Sequence, residues 1–480
     1  MKRYKKNVTK IIIDNINFYD TLNLGKFRKL EMLSCSNNYI NKIINISRKL
    51  EELYCHHNFI NEIKNLPNSL RILDCSYNYI DEIFDLPENL VEINCSNNRI
   101  MEIDNYPKRL EKINLSYNKI INLDINYRFS NLKRLDCSHN IINCLEKLPN
   151  SLEYFDCSYN HIQIIKKMPK SLKVLKCICN KICKIEFNNE LIYLDCTNNI
   201  ITKIINIPTT LEYLNCSDNK LKKLSLCKNE NLKFLNVNKN KIYDLELSNN
   251  LEKVFCNDNN IKIIRYFPVT LQEFYCKNNF IKSLDNLPNS LLQLDCSYNN
   301  IEKVNHLPNN LSILICSGNR IKLLDLLPSS LKKLNCDYND IEELVNLPHL
   351  LEYLDCSYNN LLHRIENIPE SLEILNCGKN PKLTYIQKLP NNLKILHCGT
   401  CVVIKSENRE YNINKNNKYC IVLDGENIND SSIIDHKKFF GRIINKLPEN
   451  LEEYESYYET TNEQYNQIKN MCPKIIYIYK

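Results

Sequence analysis

Leu70-Arg71-Ile72-Leu73-Asp74-Cys75-Ser76-Tyr77-Asn78-Tyr79-Ile80 is the stretch whose reading decides the fold. Stripped to its recurring letters it is L-x-x-L-x-C-x-x-N-x-I, and the same letters return at Leu291, Leu294, Cys296, Asn299 and Ile301. Nineteen copies begin at Leu30, Leu50, Leu70, Leu90, Leu110, Leu132, Leu152, Leu172, Leu191, Leu211, Leu232, Leu251, Leu271, Leu291, Leu311, Leu331, Leu351, Leu372 and Leu393, always 19 to 22 residues apart. A fixed period of this size means an array of small stacked units rather than several globular domains.

The chemistry of one unit follows from its letters. Alternation over Leu73, Asp74 and Cys75 puts the Leu and Cys on one face of a short strand and the Asp on the other. Twenty residues suffice for a strand, a turn and an extended return, with no room for a long helix. Fourteen of the 16 prolines fall at or near that return, where proline fixes an extended backbone and its missing N–H harms no ladder. One unit cannot bury its apolar side alone, so the units stack into a continuous parallel sheet. At about 4.8 Å per strand, nineteen coils imply a surface on the order of 85 Å long.

The pattern is similar to the leucine-rich-repeat consensus L-x-x-L-x-L-x-x-N-x-L, with Cys at the third apolar position. The Leu-Pro-x-x-Leu link, as at Leu66-Pro67 to Leu70, resembles the shortest repeat class, found in bacterial effector proteins. The Asn, Ile, Lys and Tyr bias with the Cys-Ser-x-Asn variant more closely resembles leucine-rich-repeat proteins of giant DNA viruses such as mimivirus. The resemblance implies a leucine-rich-repeat solenoid of about nineteen coils, a curved parallel sheet on the concave face, and an extended or 3-10 convex side. It divides the chain into an N-terminal cap over 1–29, the array over 30–404, and a degenerate repeat with C-terminal cap over 405–480. Lys10-Ile11-Ile12-Ile13 is expected to be a covering strand. Tyr419 to Leu423 reads as a further strand, and Ser431 to Ile444 as a helix before the repeat-like Leu447-Pro448 to Leu451 link.

Two regular columns invite chemistry and are read as structure. Of 24 cysteines, seventeen share one column, from Cys35 and Cys55 to Cys377 and Cys398, where Leu115 and Val237 fill the two remaining copies. A position that exchanges Cys with Leu and Val is a core position. Parallel neighbours about 4.8 Å apart exceed the usual Cβ separation of a disulfide, so a reduced ladder is expected, and with it a reducing, cytoplasmic compartment (host cytoplasm, were the chain viral). The second column is Asn, at Asn38, Asn58, Asn78 and onward in eighteen copies, with Cys401 in the last. The family resemblance implies that its amide points inward and satisfies backbone groups.

Other functions find little support in the letters. No G-x-G-x-x-G or P-loop string occurs, and the formal charge of +7 is scattered rather than gathered in a basic stripe. No apolar run approaches a membrane span, and Ile11 to Ile13 run straight into Asp14 without a signal peptide's core. Cys177, Cys179 and Cys183 resemble a metal cluster only until register points Cys177 inward and Cys179 the other way, and His56-His57 reads as surface. Cys398-x-x-Cys401 reads as terminal packing. A ubiquitin-ligase-like domain would need a Cys-x-Asp motif and a few hundred residues, whereas Cys420 precedes Asp424 by four positions; a Cys420–His436 nucleophile–base pair lacks a third member. The expectation is a non-catalytic protein with no metal, cofactor, small-molecule substrate, nucleic acid or membrane partner. A structural, virion-associated spacer is the alternative.

Recognition is expected on the exposed sheet face. The column between Leu and Cys holds Asp74, Asp136, Asp156, Asp195, Asp295 and Asp355, with Tyr54 and Tyr275, while Tyr77, Tyr159, Tyr298, Tyr338 and Tyr358 lie three positions further on. Tyrosines amid Asp and Ser suit a protein interface, and the acids point to a partner with Lys- or Arg-rich segments.

Overall fold

In a computed structural model, the described residues are 5–397 apart from 104–105, 124–129, 146–147, 167, 305, 384–385, 387–388 and 391, plus the backbone of 420–424 and 478–479. The chain falls into two compact units, Met1–Ile242 and Tyr243–Lys480. Each is a parallel-strand solenoid, and no helix occurs among the described residues. Every one of the nineteen motif copies forms a three-residue strand at its third to fifth positions, from Met32–Ser34 to Ile395–His397.

In the first unit, Lys10–Ile12 pairs in parallel with Met32–Ser34, and the succession then runs strand by strand to Phe234–Asn236. Register is column on column: Ile72 faces Glu92, Leu73 faces Ile93, and Asp74 faces Asn94. In the second unit the same pairing carries Lys253–Phe255 through to Ile395–His397, which pairs with Cys420–Asp424. The expected helix at Ser431–Ile444, the Leu447-Pro448 link, and the side chains of Cys398, Cys401, Cys420 and His436 lie outside the described residues.

Strand alternation does what the letters require. Leu73 and Cys75 are fully buried, while Ile72 and Asp74 on the opposite face are half-buried. Many coils return through a turn at a Pro link, in which the Pro67 carbonyl accepts the Leu70 amide at 3.0 Å and the Pro288 carbonyl accepts that of Leu291 at 3.1 Å; where Pro is absent, the Ser47 and Asn229 carbonyls accept the Leu50 and Leu232 amides in the same way. A hydroxyl before many of the leading leucines adds a tie between coils: Ser69 Oγ donates to the Leu50 carbonyl at 2.6 Å, and Ser330 Oγ to that of Leu311 at 2.7 Å.

The Asn column is the main fastener. Asn78 Nδ2 donates to the Cys55 carbonyl of the preceding coil and to the Cys75 and Ser76 carbonyls of its own, each at 3.1 Å. Its Oδ1 accepts the Ile60 amide of the preceding coil at 2.9 Å. Asn160, Asn219, Asn299 and Asn339 repeat the arrangement. An apolar residue here would orphan buried backbone groups at about 1–3 kcal/mol each, which explains why the column tolerates so little change.

Among the described residues the cysteines are free thiols, and sixteen of the ladder are buried. Burial, reinforced by neighbouring acids, pushes Cys95 and Cys216 up to about 12, and drives Cys75, Cys157 and Cys296 well above the ordinary thiol range. These thiols bind their protons more tightly folded than unfolded. Below the unfolded thiol pKa of about 8.5–9 both states are protonated and nothing is lost; above it the unfolded chain sheds protons that the folded chain keeps, so stability falls as pH rises. Each fully ionised thiol adds about 1.4 kcal/mol of loss per pH unit. The melting temperature is therefore expected to hold between pH 7 and 8 and to collapse steeply above pH 9; a melting temperature unchanged to pH 10 would contradict a buried, reduced ladder.

Candidate functional site

The expected recognition columns separate into two places. The Asp column lies on the strand face, whereas the Tyr column lies where the chain has left the strand. Tyr77, Tyr117, Tyr159, Tyr298, Tyr338 and Tyr358 all have positive φ, between 51° and 56°, as do Asn37, His57, Asn97 and Asp218 in the same column, with Gly318 at 62°. A left-handed backbone is costly for a bulky residue. Ring stacking along the column contributes in the opposite sense: His57 lies 4.0 Å from Tyr77, His139 lies 3.9 Å from Tyr117 and 4.1 Å from Tyr159, and Tyr338 lies 4.1 Å from Tyr358. Tyr298 covers Gly318, where an added Cβ would meet the ring at 2.7 Å.

The Asp column is not an array of free carboxylates. Asp74 Oδ1 accepts the Ser76 amide at 3.0 Å and the Ser76 hydroxyl at 2.7 Å. Asp136 does the same with Ser138, Asp195 with Thr197, and Asp355 with Ser357; Asp156 and Asp295 cap Ser158 and Ser297. The second oxygen is engaged in four of them, by Asn94 on Asp74 (3.3 Å), the Tyr154 hydroxyl on Asp156 (3.5 Å), Asn215 on Asp195 (3.3 Å) and Asn376 on Asp355 (2.9 Å). Asn94, Asn114 and Asn215 occupy the same column in other coils and accept the same hydroxyls. The position demands an acceptor oxygen two residues before a turn and is indifferent to its charge. Asp195 and Asp355 are buried, and burial raises the Asp136 carboxyl above the usual range.

A third column, the first residue of each strand, presents what the letter-by-letter reading missed. In five successive coils of the first unit it holds Tyr154, Val174, Tyr193, Tyr213 and Phe234, all half-buried on the face opposite the Leu and Cys core. Tyr193 and Tyr213 stack at 4.2 Å with planes 6° apart, and Tyr213 and Phe234 at 4.3 Å and 4°. Arg134 covers the Tyr154 ring at 3.9 Å, and Lys176 lies 5.9 Å from it. Burial pushes the Tyr154 hydroxyl up to about 12, and raises Tyr213. Asp136, Asp156 and Asp195 flank this stripe in the next strand-face column.

In the second unit the strand face is less aromatic. Phe255 and Tyr275 stack at 4.8 Å, and Tyr275 donates to Gln293 Oε1 at 2.7 Å. Tyr54, in the first unit, donates to Glu52 Oε2 at 3.2 Å. A separate aromatic flank follows the Asn column at the start of the array: Tyr19 stacks on Tyr39 at 4.5 Å, Phe59 on Tyr79 at 5.8 Å, and Arg99 covers Tyr79 at 4.6 Å.

No three His, Cys, Asp or Glu side chains converge as metal ligands among the described residues. Cys177 is buried in the ladder; Cys179 accepts Asn198 Nδ2 at 3.2 Å, and Cys183 is exposed and donates to the Gln163 carbonyl at 3.5 Å. His56 and His57 bring their Nδ1 atoms within 3.0 Å of each other. No helix of the described residues is long and apolar enough to cross a membrane.

The capping role of the acids generates a test. Asp156→Asn keeps the acceptor and should leave the urea midpoint nearly unchanged, whereas Asp156→Ala removes it and should cost about 1 kcal/mol. Equal losses for the two would show that charge, not the acceptor oxygen, is what the position supplies.

No protein-family model matches the chain, and no curated protein sequence matches it. Solved structures do. YopM from Yersinia enterocolitica superposes with a TM-score of 0.70 at 26% identity, covering 83% of this chain and 91% of that one. YopM from Yersinia pestis, described as a leucine-rich effector protein, gives 0.50 at 25%, covering 72% and 88%. The receptor PEPR1, solved with AtPEP1, gives 0.59 at 19%, covering 86% of this chain and 69% of that one. The fold of this chain is that of the leucine-rich-repeat solenoids.

Proposed function

We propose that the protein binds a protein partner on the solvent-facing side of its sheet, without catalysis, and that the binding surface centres on the Tyr154–Phe234 stripe of the first unit. The observation that carries this reading is the stripe itself. Five consecutive coils place a large apolar or aromatic side chain outside the core, where nothing in the stacking of coils requires it, and Tyr-rich surface of this kind is favoured at interfaces. The Asp and Tyr columns, including Asp74, Asp136, Asp156, Asp195, Tyr77 and Tyr159 here and Tyr275, Asp295, Tyr298, Tyr338, Asp355 and Tyr358 in the second unit, supply a polar surround. Each acid has one oxygen committed to its own turn, so it meets a basic group as a partly engaged carboxylate. The buried thiol ladder supports a reducing, cytoplasmic setting, and the segments 1–29 and 405–480 are read as caps of the array.

Crosslinking pull-down from native cells tests the reading. Replacing Tyr193 and Tyr213 together by Lys is expected to reduce capture of the partner at least tenfold, while Ile205→Lys on the exposed back of the same unit leaves it intact. Undiminished capture by the double variant would remove the stripe from the binding surface.

A further inference from the structure

The stripe restricts what can lie on it. Tyr193, Tyr213 and Phe234 are stacked face to face, so the interior of the stack offers ring edges and hydroxyl tips rather than faces. A base or sugar seeking a ring face finds none there. The strand Tyr193–Asp195 is paired on both sides, with Val174–Lys176 and Tyr213–Asn215, so no backbone edge is open to a partner strand. A stacked ridge also gives an amphipathic helix no groove to fill. The partner's backbone must instead be met by side-chain donors. Tyr213 is placed for this: its ring is held between those of Tyr193 and Phe234, with its hydroxyl at the tip of the stack.

A polyproline II segment has the matching properties. It makes no internal hydrogen bonds, so its carbonyls are available to such donors, and its turn of three residues advances about 9.3 Å. Two coils of a parallel sheet advance about 9.4–9.8 Å. Residues i, i+3 and i+6 of the segment therefore fall on the same column in alternate coils, at Tyr154, Tyr193 and Phe234. Charge sets the direction. Asp136 and Asp156 are register partners on neighbouring strands at one end, Lys176 and Asp195 follow in the same column, and Asn215 and Asn236 make the other end neutral. Arg134 covers the Tyr154 ring at 3.9 Å, and Lys176 lies 5.9 Å from the same ring.

We propose that this face takes a proline-rich segment in the polyproline II conformation, running across the strands with its Lys or Arg residues over Asp136 and Asp156. The proposal rests on the protein-interaction reading above and names the partner's chemistry.

Fluorescence anisotropy with the full chain tests it, using a labelled synthetic peptide of about twelve residues with proline at every third position and two arginines at one end. Binding is expected, weakened at least tenfold when the prolines become alanine or the arginines glutamate. Tyr213→Phe should weaken it roughly three- to tenfold, the range for one lost hydrogen bond, with an unchanged urea midpoint. Asp136→Asn with Asp156→Asn, which preserves both turn caps, should weaken the arginine peptide and leave a charge-free proline peptide alone. Equal binding of the alanine peptide would overturn the polyproline assignment, and indifference to the double Asn variant would overturn the orientation. If none of the peptides binds while Tyr193→Lys with Tyr213→Lys still abolishes capture of the natural partner, the proline-rich proposal fails and the interaction surface stands.

Discussion

The inward carboxamide that recurs from coil to coil is the constraint on which the rest of this structure depends. Asn78 spans two coils, donating to carbonyls in both and accepting an amide from the earlier one. No shorter or apolar side chain supplies donor and acceptor together at that reach. The bond set fixes the rotation of each coil on its predecessor, and thereby the residue-on-residue register of the strands. Once register is fixed, side chains a repeat apart become neighbours. Cysteines then stack on cysteines in the core, and whatever the sequence places in the outward columns is written down the sheet as a stripe.

This arrangement separates stability from recognition. The Leu, Cys, Asn and Ser columns are occupied for the sake of stacking, and their regularity is that of a backbone that needs the same groups in each coil. The Asp column belongs with them more than its charge suggests, since Asn serves as well in Asn94, Asn114 and Asn215. Freedom remains in the first strand position, which ranges from Glu92 and Lys112 to Tyr193 and Phe234 without disturbing the turn or the core. A protein that recognises something is expected to write its specificity there.

The fold was almost wholly legible in the sequence, because each structural demand recurs at fixed spacing: Leu and Cys alternate across a strand, Asn follows three positions after Cys, and Pro marks the return. The site was legible only in part. Asp74 and Ser76 stand two apart in the chain, which is the spacing of a turn cap, yet acidity draws attention to charge rather than to an acceptor oxygen. The Tyr77 column carried its own signal as well. Asn, Asp, His and Gly alternate with Tyr in it, the residue types that tolerate a left-handed backbone, and that places the column off the strand. Tyr154, Val174, Tyr193, Tyr213 and Phe234 were hidden for a different reason. About twenty residues separate each from the next, and they form a surface only when the sequence is read down the sheet instead of along the chain.

The central claim is that partner contact falls on this downward-read stripe and not on the regular ladders or the back of the coils. Its most direct test is residue-resolved photocrosslinking in native cells, with a benzophenone amino acid placed at 193, at 213, or at 205 on the exposed back of the same unit. The account predicts an adduct of one common mass from 193 and 213 and none from 205. A common adduct from 205, with 193 and 213 silent, would contradict it.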